Sequence, residues 1–210
     1  MALVANQIVR FFKYFIFWMI FFWLAKAFFL ISNFEQTRQL SMSEVFGIFG
    51  YGLKMDVSTA CYLLILPGLL LSLRNFVPLR FVNRFIWFYT LVFLIIASFL
   101  VVLDLGLYPH WGTRVNITAF NYIDDPVAMS ASVSIVDVLL GLLIAGSLIG
   151  SFVFIYRKLF PEGIAIDGKA KWYAVFLQLF LVATLIKPIR GGLDTSPLNL
   201  CSVAFSRNVY

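Results

Sequence analysis

The segment between Lys187 and Asn199 concentrates residue types that are suited to binding a charged ligand. An apolar stretch (172–186) is followed there by Pro188, which cannot continue a helix without the loss of a backbone hydrogen bond. Arg190 offers a planar fork of donors that matches phosphate, and the two glycines after it allow a ligand to approach the backbone closely. The segment therefore predicts a site for a lipid headgroup. A helix stop with an interfacial arginine is the open alternative.

The composition indicates an integral membrane protein. Hydrophobic residues make up 62% of the 210 residues and charged residues only 12%, about half the charged share of a typical soluble domain. The net charge of +6 is explained by membrane topology and by contact with anionic lipids. Because no basic, aromatic-interleaved RNA-binding motif accompanies this charge, nucleic acid is not expected as a partner.

Five apolar stretches approach the length of about 20 residues that a helix needs to cross a bilayer. The predicted spans are 11–31, 57–73, 85–103, 136–156 and 172–186. The predicted fold class is therefore all-α, a polytopic five-helix transmembrane domain over residues 1–188. Residues 189–210 are predicted to begin an extracytoplasmic linker. The glycine-rich stretch 43–52 is too short to cross and is expected to be interfacial or re-entrant.

Lysines and arginines predict the orientation. With the N-terminus inside, nine of the sixteen fall in three short inner segments, and seven are spread over longer outer segments. We therefore expect a multi-pass protein with a cytoplasmic N-terminus and an extracytoplasmic C-terminus.

Four further charged residues fall near the predicted outer surface, on which Arg190 also lies. Asp56 precedes the second span, so its simplest role is to cap that helix, and direct ligand contact together with Lys54 is the alternative. Asp104 ends the third span and Arg114 follows in the loop. These two residues are expected to pair with each other, or Arg114 to meet a phosphate.

No recognised catalytic or metal-binding motif occurs in the sequence. Every Asp and Glu falls at a span end or in a loop, which argues against proton-coupled transport. His110, the single histidine, has no partner set for a metal. Lys26 lies inside the first span and is expected to snorkel to the outer surface. No catalytic residue and no metal ligand is therefore predicted in this chain.

Two stretches resemble parts of one known family. Gly52-Leu-Lys-Met-Asp56, followed by Val-Ser-Thr-Ala and an apolar span, resembles a "G-L-R-F-D-L-S" motif at the start of a span. Asp104 with Tyr108 and Arg114 resembles the loop after the third span of the same family.

The C-terminal segment carries the most specific part of the resemblance. Arg190-Gly-Gly-Leu, Pro197-Leu-Asn199 and Ala204-Phe-Ser206 resemble the pattern "R-G-G … P-L-N … A-x-F-S". The family is the lipoteichoic-acid-synthase-like group, bacterial membrane phosphoglycerol and phosphoethanolamine transferases of the alkaline phosphatase/sulfatase superfamily. The likeness covers essentially all 210 residues.

The resemblance implies a membrane anchor for a catalytic domain. In the family, five spans precede a large extracytoplasmic domain that carries a nucleophilic threonine and a divalent metal (Mn or Mg). That domain transfers a headgroup from a phospholipid. This chain ends at Tyr210, where the linker is expected, and no residue here matches the nucleophile or the metal ligands. The implied partners are phosphatidylglycerol or phosphatidylethanolamine and the chain's own catalytic domain, in the bacterial plasma membrane.

The resemblance also assigns candidate headgroup contacts. Arg190, Asp56 and Arg114 match family positions near the outer leaflet. Lys54 stands where the family more often has arginine, which weakens a bidentate phosphate contact. Two alternatives stay open: an anchor of a sulfatase-like hydrolase, and a stand-alone five-span binding or scaffold protein.

Overall fold

The computed structural model describes residues 2–73, 76–111, 134–166 and 172–191, and these residues form helices and turns with no strand. The helices are α1 (Ala2–Ser32), α2 (Phe34–Thr37), α3 (Met42–Ser72), α4 (Leu79–Trp111), α5 (Ile135–Leu159), α6 (Trp172–Thr184) and α7 (Ile186–Ile189). Four of them, α1, α3, α4 and α5, are long and apolar enough to cross a membrane. The all-helical class is thus confirmed for the described residues, whereas the fifth span and the orientation of the termini stay predictions.

Helix α3 begins fifteen residues before the predicted second span. Ser41 is its N-cap, and the backbone N–H of Ser41 donates to the Glu44 carboxylate at 2.8 Å while the Glu44 N–H donates back to the Ser41 hydroxyl. This capping box satisfies donors that a helix start leaves open. The glycine-rich stretch 43–52 is therefore not a separate element but the first part of α3. The predicted capping role of Asp56 is wrong, because Asp56 lies in the middle of this helix.

Helix α4 is also longer than the predicted third span at both ends. It begins directly after Pro78, whose carbonyl accepts hydrogen bonds from the N–H groups of Phe81 and Val82. Residues 79–84, which lie between the predicted second and third spans, are therefore helical. At the other end, Asp104 lies inside the helix rather than at its terminus.

The long helices α1 and α3 run antiparallel. Near the start of α1, Phe11 lies beside Gly68 of α3, and near its end Lys26 lies beside Gly52. We call the end at which α1 begins the proximal end of the bundle, and the end at which α1 finishes and α3 begins the distal end.

Helices α4 and α5 also run in opposite directions through the bundle. Trp87 contacts Tyr156 at the proximal end, with ring centroids 5.2 Å apart. Toward the distal end, a side chain added at Gly141 would meet Val102. Helix α4 therefore runs in the same direction as α1, and α5 runs back.

Helix α6 packs against α3 and then breaks. Val182 of α6 faces Gly68 of α3. Pro188 has no N–H to offer the carbonyl of Thr184, and the helix is interrupted at Leu185 before it resumes as the four-residue α7. Because α6 alone has only 13 residues, a full crossing of the bilayer at this position is not established.

The buried core is aromatic and lies toward the proximal end. Phe17 and Phe21 of α1 both make edge-on contacts with Phe152 of α5, with centroids 5.6 and 5.0 Å apart. The hydroxyl of Tyr14 lies 2.9 Å from that of Thr90 in α4. Edge-on aromatic pairs stabilise packing beyond the area they bury, so this core holds α1, α4 and α5 together.

The loop 160–166 is held against the proximal ends of α1 and α4. The side chain of Asn83 donates to two loop carbonyls (3.1 and 3.2 Å) and accepts from a loop N–H (2.8 Å). Gln7 likewise donates to one loop carbonyl and accepts from one loop N–H. Arg10 donates to the carbonyl of Gly163 at 2.7 Å. These bonds fix the proximal end independently of the apolar core.

Candidate functional site

A lysine of α1 and an aspartate of α3 form an ion pair inside the bundle. The Nζ atom of Lys26 lies 2.5 Å from Oδ2 of Asp56, and the two side chains are only 14% and 8% exposed. The expectation that Lys26 snorkels to the surface is therefore wrong. Burying two charges costs free energy. The pair is tolerated because the attraction between the opposite charges offsets that cost.

A glycine makes room for this pair. Gly52 precedes Asp56 by four residues, so the two positions lie one turn apart on the same face of α3. A Cβ atom at Gly52 would lie 3.2 Å from Cε of Lys26 and would collide with its Nζ. Gly52 and Asp56 thus form the seat on α3 that receives the Lys26 ammonium.

A cavity lies beside the ion pair, where α1, α3 and α4 meet. Its volume is about 150 Å³, and it is lined by Phe22, Ala25, Lys26, Phe29, Asp56, Val101 and Asp104. The charged groups come from three different helices, and the apolar lining comes from α1 and α4. The cavity lies toward the distal end, since Lys26 precedes the end of α1 by six residues, or about 9 Å.

A second group of predicted site residues lies on another face of α3. The hydroxyl of Ser58 donates to the carbonyl of Ile189 at 2.9 Å and so ties the end of α7 to α3. Arg190 follows directly, and Lys54 lies one turn before Ser58 on the same face. Both basic side chains are exposed.

The structure therefore divides the five predicted headgroup contacts. Asp56 and Asp104 both line the cavity. Lys54 lies one turn before Ser58, which is hydrogen-bonded to the residue that precedes Arg190. Asp56 is only two residues from Ser58, so it points to roughly the opposite side of α3 from Ser58 and Lys54. Arg114 lies outside the described residues.

Two residues of the site, Lys26 and Gly52, were not predicted. For Lys26 a signal existed, because an ionisable residue inside a span usually pairs with another polar group. For Gly52 the signal was its four-residue spacing to Asp56, which has meaning only if both residues share one helix. The Ser41-x-x-Glu44 capping pattern would have predicted that helix.

Within the ranges that the structure describes, no three His, Cys, Asp or Glu residues come close enough to hold a metal ion. Comparisons with protein-family models, with curated proteins and with solved structures find no match for this chain. The lipoteichoic-acid-synthase-like resemblance therefore stays a prediction from the motifs.

Proposed function

We propose that this chain is the membrane domain of a lipoteichoic-acid-synthase-like transferase. In this proposal the chain anchors the enzyme in the bacterial plasma membrane, and its distal end faces the outside. There it holds the headgroup of phosphatidylglycerol or phosphatidylethanolamine beside an extracytoplasmic catalytic domain. The nucleophilic threonine and the divalent metal belong to that domain. The residues of this chain bind and orient the donor lipid.

The observation that carries the proposal is the hydrogen bond from Ser58 to the carbonyl of Ile189. It ties the residue before Arg190 to the face of α3 on which Lys54 lies, although the two basic residues are far apart in the sequence. Arginine offers a bidentate fork and lysine a point charge, and both bind phosphate oxygens. Because both side chains are exposed, they are suited to the phosphate of a lipid whose chains lie along the bundle.

The neighbouring cavity supports the same function. Its volume of about 150 Å³ suits a small polar group rather than an acyl chain. The Lys26 ammonium has three donors, and its bond to Asp56 uses one of them. An oxygen of a lipid headgroup would therefore find a donor at Lys26 without breaking the pair.

The test is a titration of the purified chain in detergent with short-chain phosphatidylglycerol and, separately, phosphatidylethanolamine. We expect Arg190→Ala to weaken binding of the donor lipid by about 1.5–3 kcal/mol, the scale of a hydrogen bond to a charged group. The control is Arg38→Ala, which removes an exposed arginine that contributes to neither the cavity nor the Ser58–Ile189 contact.

Two results would contradict the proposal. If Arg190→Ala binds both lipids as the unchanged chain does, Arg190 is not a headgroup contact. If Arg38→Ala weakens binding by the same amount, general attraction between a basic protein and an anionic lipid explains the affinity. In either case the alternative of a stand-alone scaffold protein gains support.

A further inference from the structure

Three arginines lie together at the proximal end, where α4 and α5 pack side by side. Arg80 and Arg84 are four residues apart in α4, so they lie one turn apart on one face. Arg157 lies in the last turn of the antiparallel α5 and contacts Trp87, which is one turn beyond Arg84. All three arginines are exposed.

Aromatic packing holds one of these arginines in place. The guanidinium carbon of Arg157 lies 5.5 Å from the centre of the Trp87 ring. Trp87 also packs against the ring of Tyr156, which is only 4% exposed. Because Arg157 is already positioned by this contact, less side-chain entropy is lost when it binds an anion.

The surroundings of the three arginines are positively charged. Of the carboxylates in the described parts of the chain, only Glu162 lies at the proximal end, and it pairs with Arg10 at 3.0 Å. Lys13 and Lys158 are also exposed at this end. An anion that approaches the seam between α4 and α5 is therefore attracted and meets no competing carboxylate among the described residues.

Exposed phenylalanines continue the surface along α4 toward the middle of the membrane. Phe81, Phe85 and Phe88 are 57%, 36% and 64% exposed. Their spacing places them on one stripe of the helix, next to the face that carries Arg80 and Arg84. A ligand with a charged head and apolar chains would contact both the arginines and the phenylalanines, whereas a soluble phosphate would contact only the arginines.

We propose that this seam binds a membrane lipid whose headgroup carries two phosphate charges. Three guanidinium forks offer more donors than one phosphodiester can use, and they match a headgroup with two phosphates. Basic pockets between transmembrane helices bind lipids of this class. The site lies at the opposite end of the bundle from the donor-lipid site, and it does not depend on the proposed transferase function.

The test is native mass spectrometry of the full 210-residue chain titrated with cardiolipin, which has two phosphates, and with phosphatidylglycerol, which has one. The variant Arg80→Gln/Arg84→Gln/Arg157→Gln should raise the apparent Kd for cardiolipin about a hundredfold. Each basic residue at a membrane surface contributes a factor of about five, and the three factors multiply. The control variant Arg38→Gln/Lys187→Gln removes exposed charges away from the proximal end, and it should change this Kd by less than about threefold. Circular dichroism would verify that both variants keep their helix content.

Equal losses in the two variants would overturn the proposal, because they would show that total charge alone sets the affinity. A competition with inorganic pyrophosphate separates a lipid from a soluble ligand. If pyrophosphate displaces cardiolipin at equal concentration, the site takes a soluble diphosphate and the lipid proposal is wrong. Replacement of all three arginines by lysine keeps the charge, so it should abolish the preference for cardiolipin over phosphatidylglycerol while both lipids still bind. A preference that survives in the lysine variant would overturn recognition by the arginine forks.

Discussion

Lys26 and Asp56 form an ion pair whose two side chains are largely withdrawn from the surface. Removal of one partner leaves the other charge buried without its counter-ion, which costs about 3–5 kcal/mol. We therefore expect Lys26→Met to lower the free energy of unfolding by this amount. The double variant Lys26→Met/Asp56→Leu should recover most of the loss, because no charge is then left unpaired.

A double-mutant cycle with denaturant unfolding in detergent measures this coupling, with Asp56→Leu as the second single variant. The interpretation of the pair fails if the double variant is as unstable as the sum of the two single variants.

Gly52 supplies a second prediction at the scale of single residues. In Gly52→Ala the new methyl group would displace the Lys26 ammonium from Asp56, so we expect a loss of about 1–3 kcal/mol in the free energy of unfolding. Gly50 is a matched control in the same helix, because a Cβ atom there meets nothing within 4 Å. Gly50→Ala should be neutral or stabilising by up to about 1 kcal/mol. Equal effects of the two substitutions on the unfolding temperature would refute the role of Gly52.

The contacts of Lys26 depend on how the helices pack against one another, which the sequence pattern of a single helix does not show. The snorkelling prediction for Lys26 considered α1 alone, where the end of the helix is only about two turns away. The pairing with Asp56 arises from the antiparallel packing of α1 on α3, which brings positions 30 residues apart together. The sequence predicted that Asp56 and Asp104 lie near one surface, and in the structure both line the same cavity.

At the scale of elements, the apolar runs predicted which segments form helices better than they predicted the residues at which those helices begin and end. The span 136–156 agrees with α5 (Ile135–Leu159), because Ser134 and Asp137 form a capping box just before a continuous apolar run. The start of α3 was misplaced because the glycines between Phe46 and Leu53 have low helix propensity. In the folded chain the capping box and the packing against α1 outweigh that propensity.

The loop 160–166 provides a prediction at the same scale. Gly163 has a φ of +91°, a conformation that only glycine adopts without strain, and a Cβ atom there would collide with the Asn83 side chain. Gly163→Ala should therefore disrupt the hydrogen bonds between Asn83 and the loop and lower the free energy of unfolding by about 2–4 kcal/mol, as the sum of strain and lost hydrogen bonds.

Gly146 of α5 is the control for this substitution, because nothing lies within 4 Å of a Cβ atom there. Hydrogen exchange of residues 160–166 would report the loosening directly. Unchanged protection of the loop in Gly163→Ala would show that the contact with Asn83 does not fix it.

For the whole molecule, composition predicted the membrane class, since four helices are long and apolar enough to cross. The alternation of helix directions brings Gln39 and the start of α3 to the distal end, and Lys158 to the proximal end. If the N-terminus is cytoplasmic, these two exposed positions lie on opposite sides of the membrane.

Labelling with an impermeant maleimide tests this orientation in a variant in which Cys61 and Cys201 are replaced by alanine. A cysteine introduced by Gln39→Cys should react in intact cells, whereas one introduced by Lys158→Cys should react only after the membrane is permeabilised. The reverse pattern would invert the orientation and would place the proposed donor-lipid site on the cytoplasmic side.

The most direct test of the central claim is native mass spectrometry of the chain as purified from its membrane, with identification of the lipids that stay bound. A donor-lipid site at the distal end predicts selective retention of phosphatidylglycerol or phosphatidylethanolamine, and loss of that lipid in Arg190→Ala but not in Arg38→Ala. A chain that retains neither lipid, or that retains it equally after Arg190→Ala, would contradict the claim that this domain presents a phospholipid headgroup.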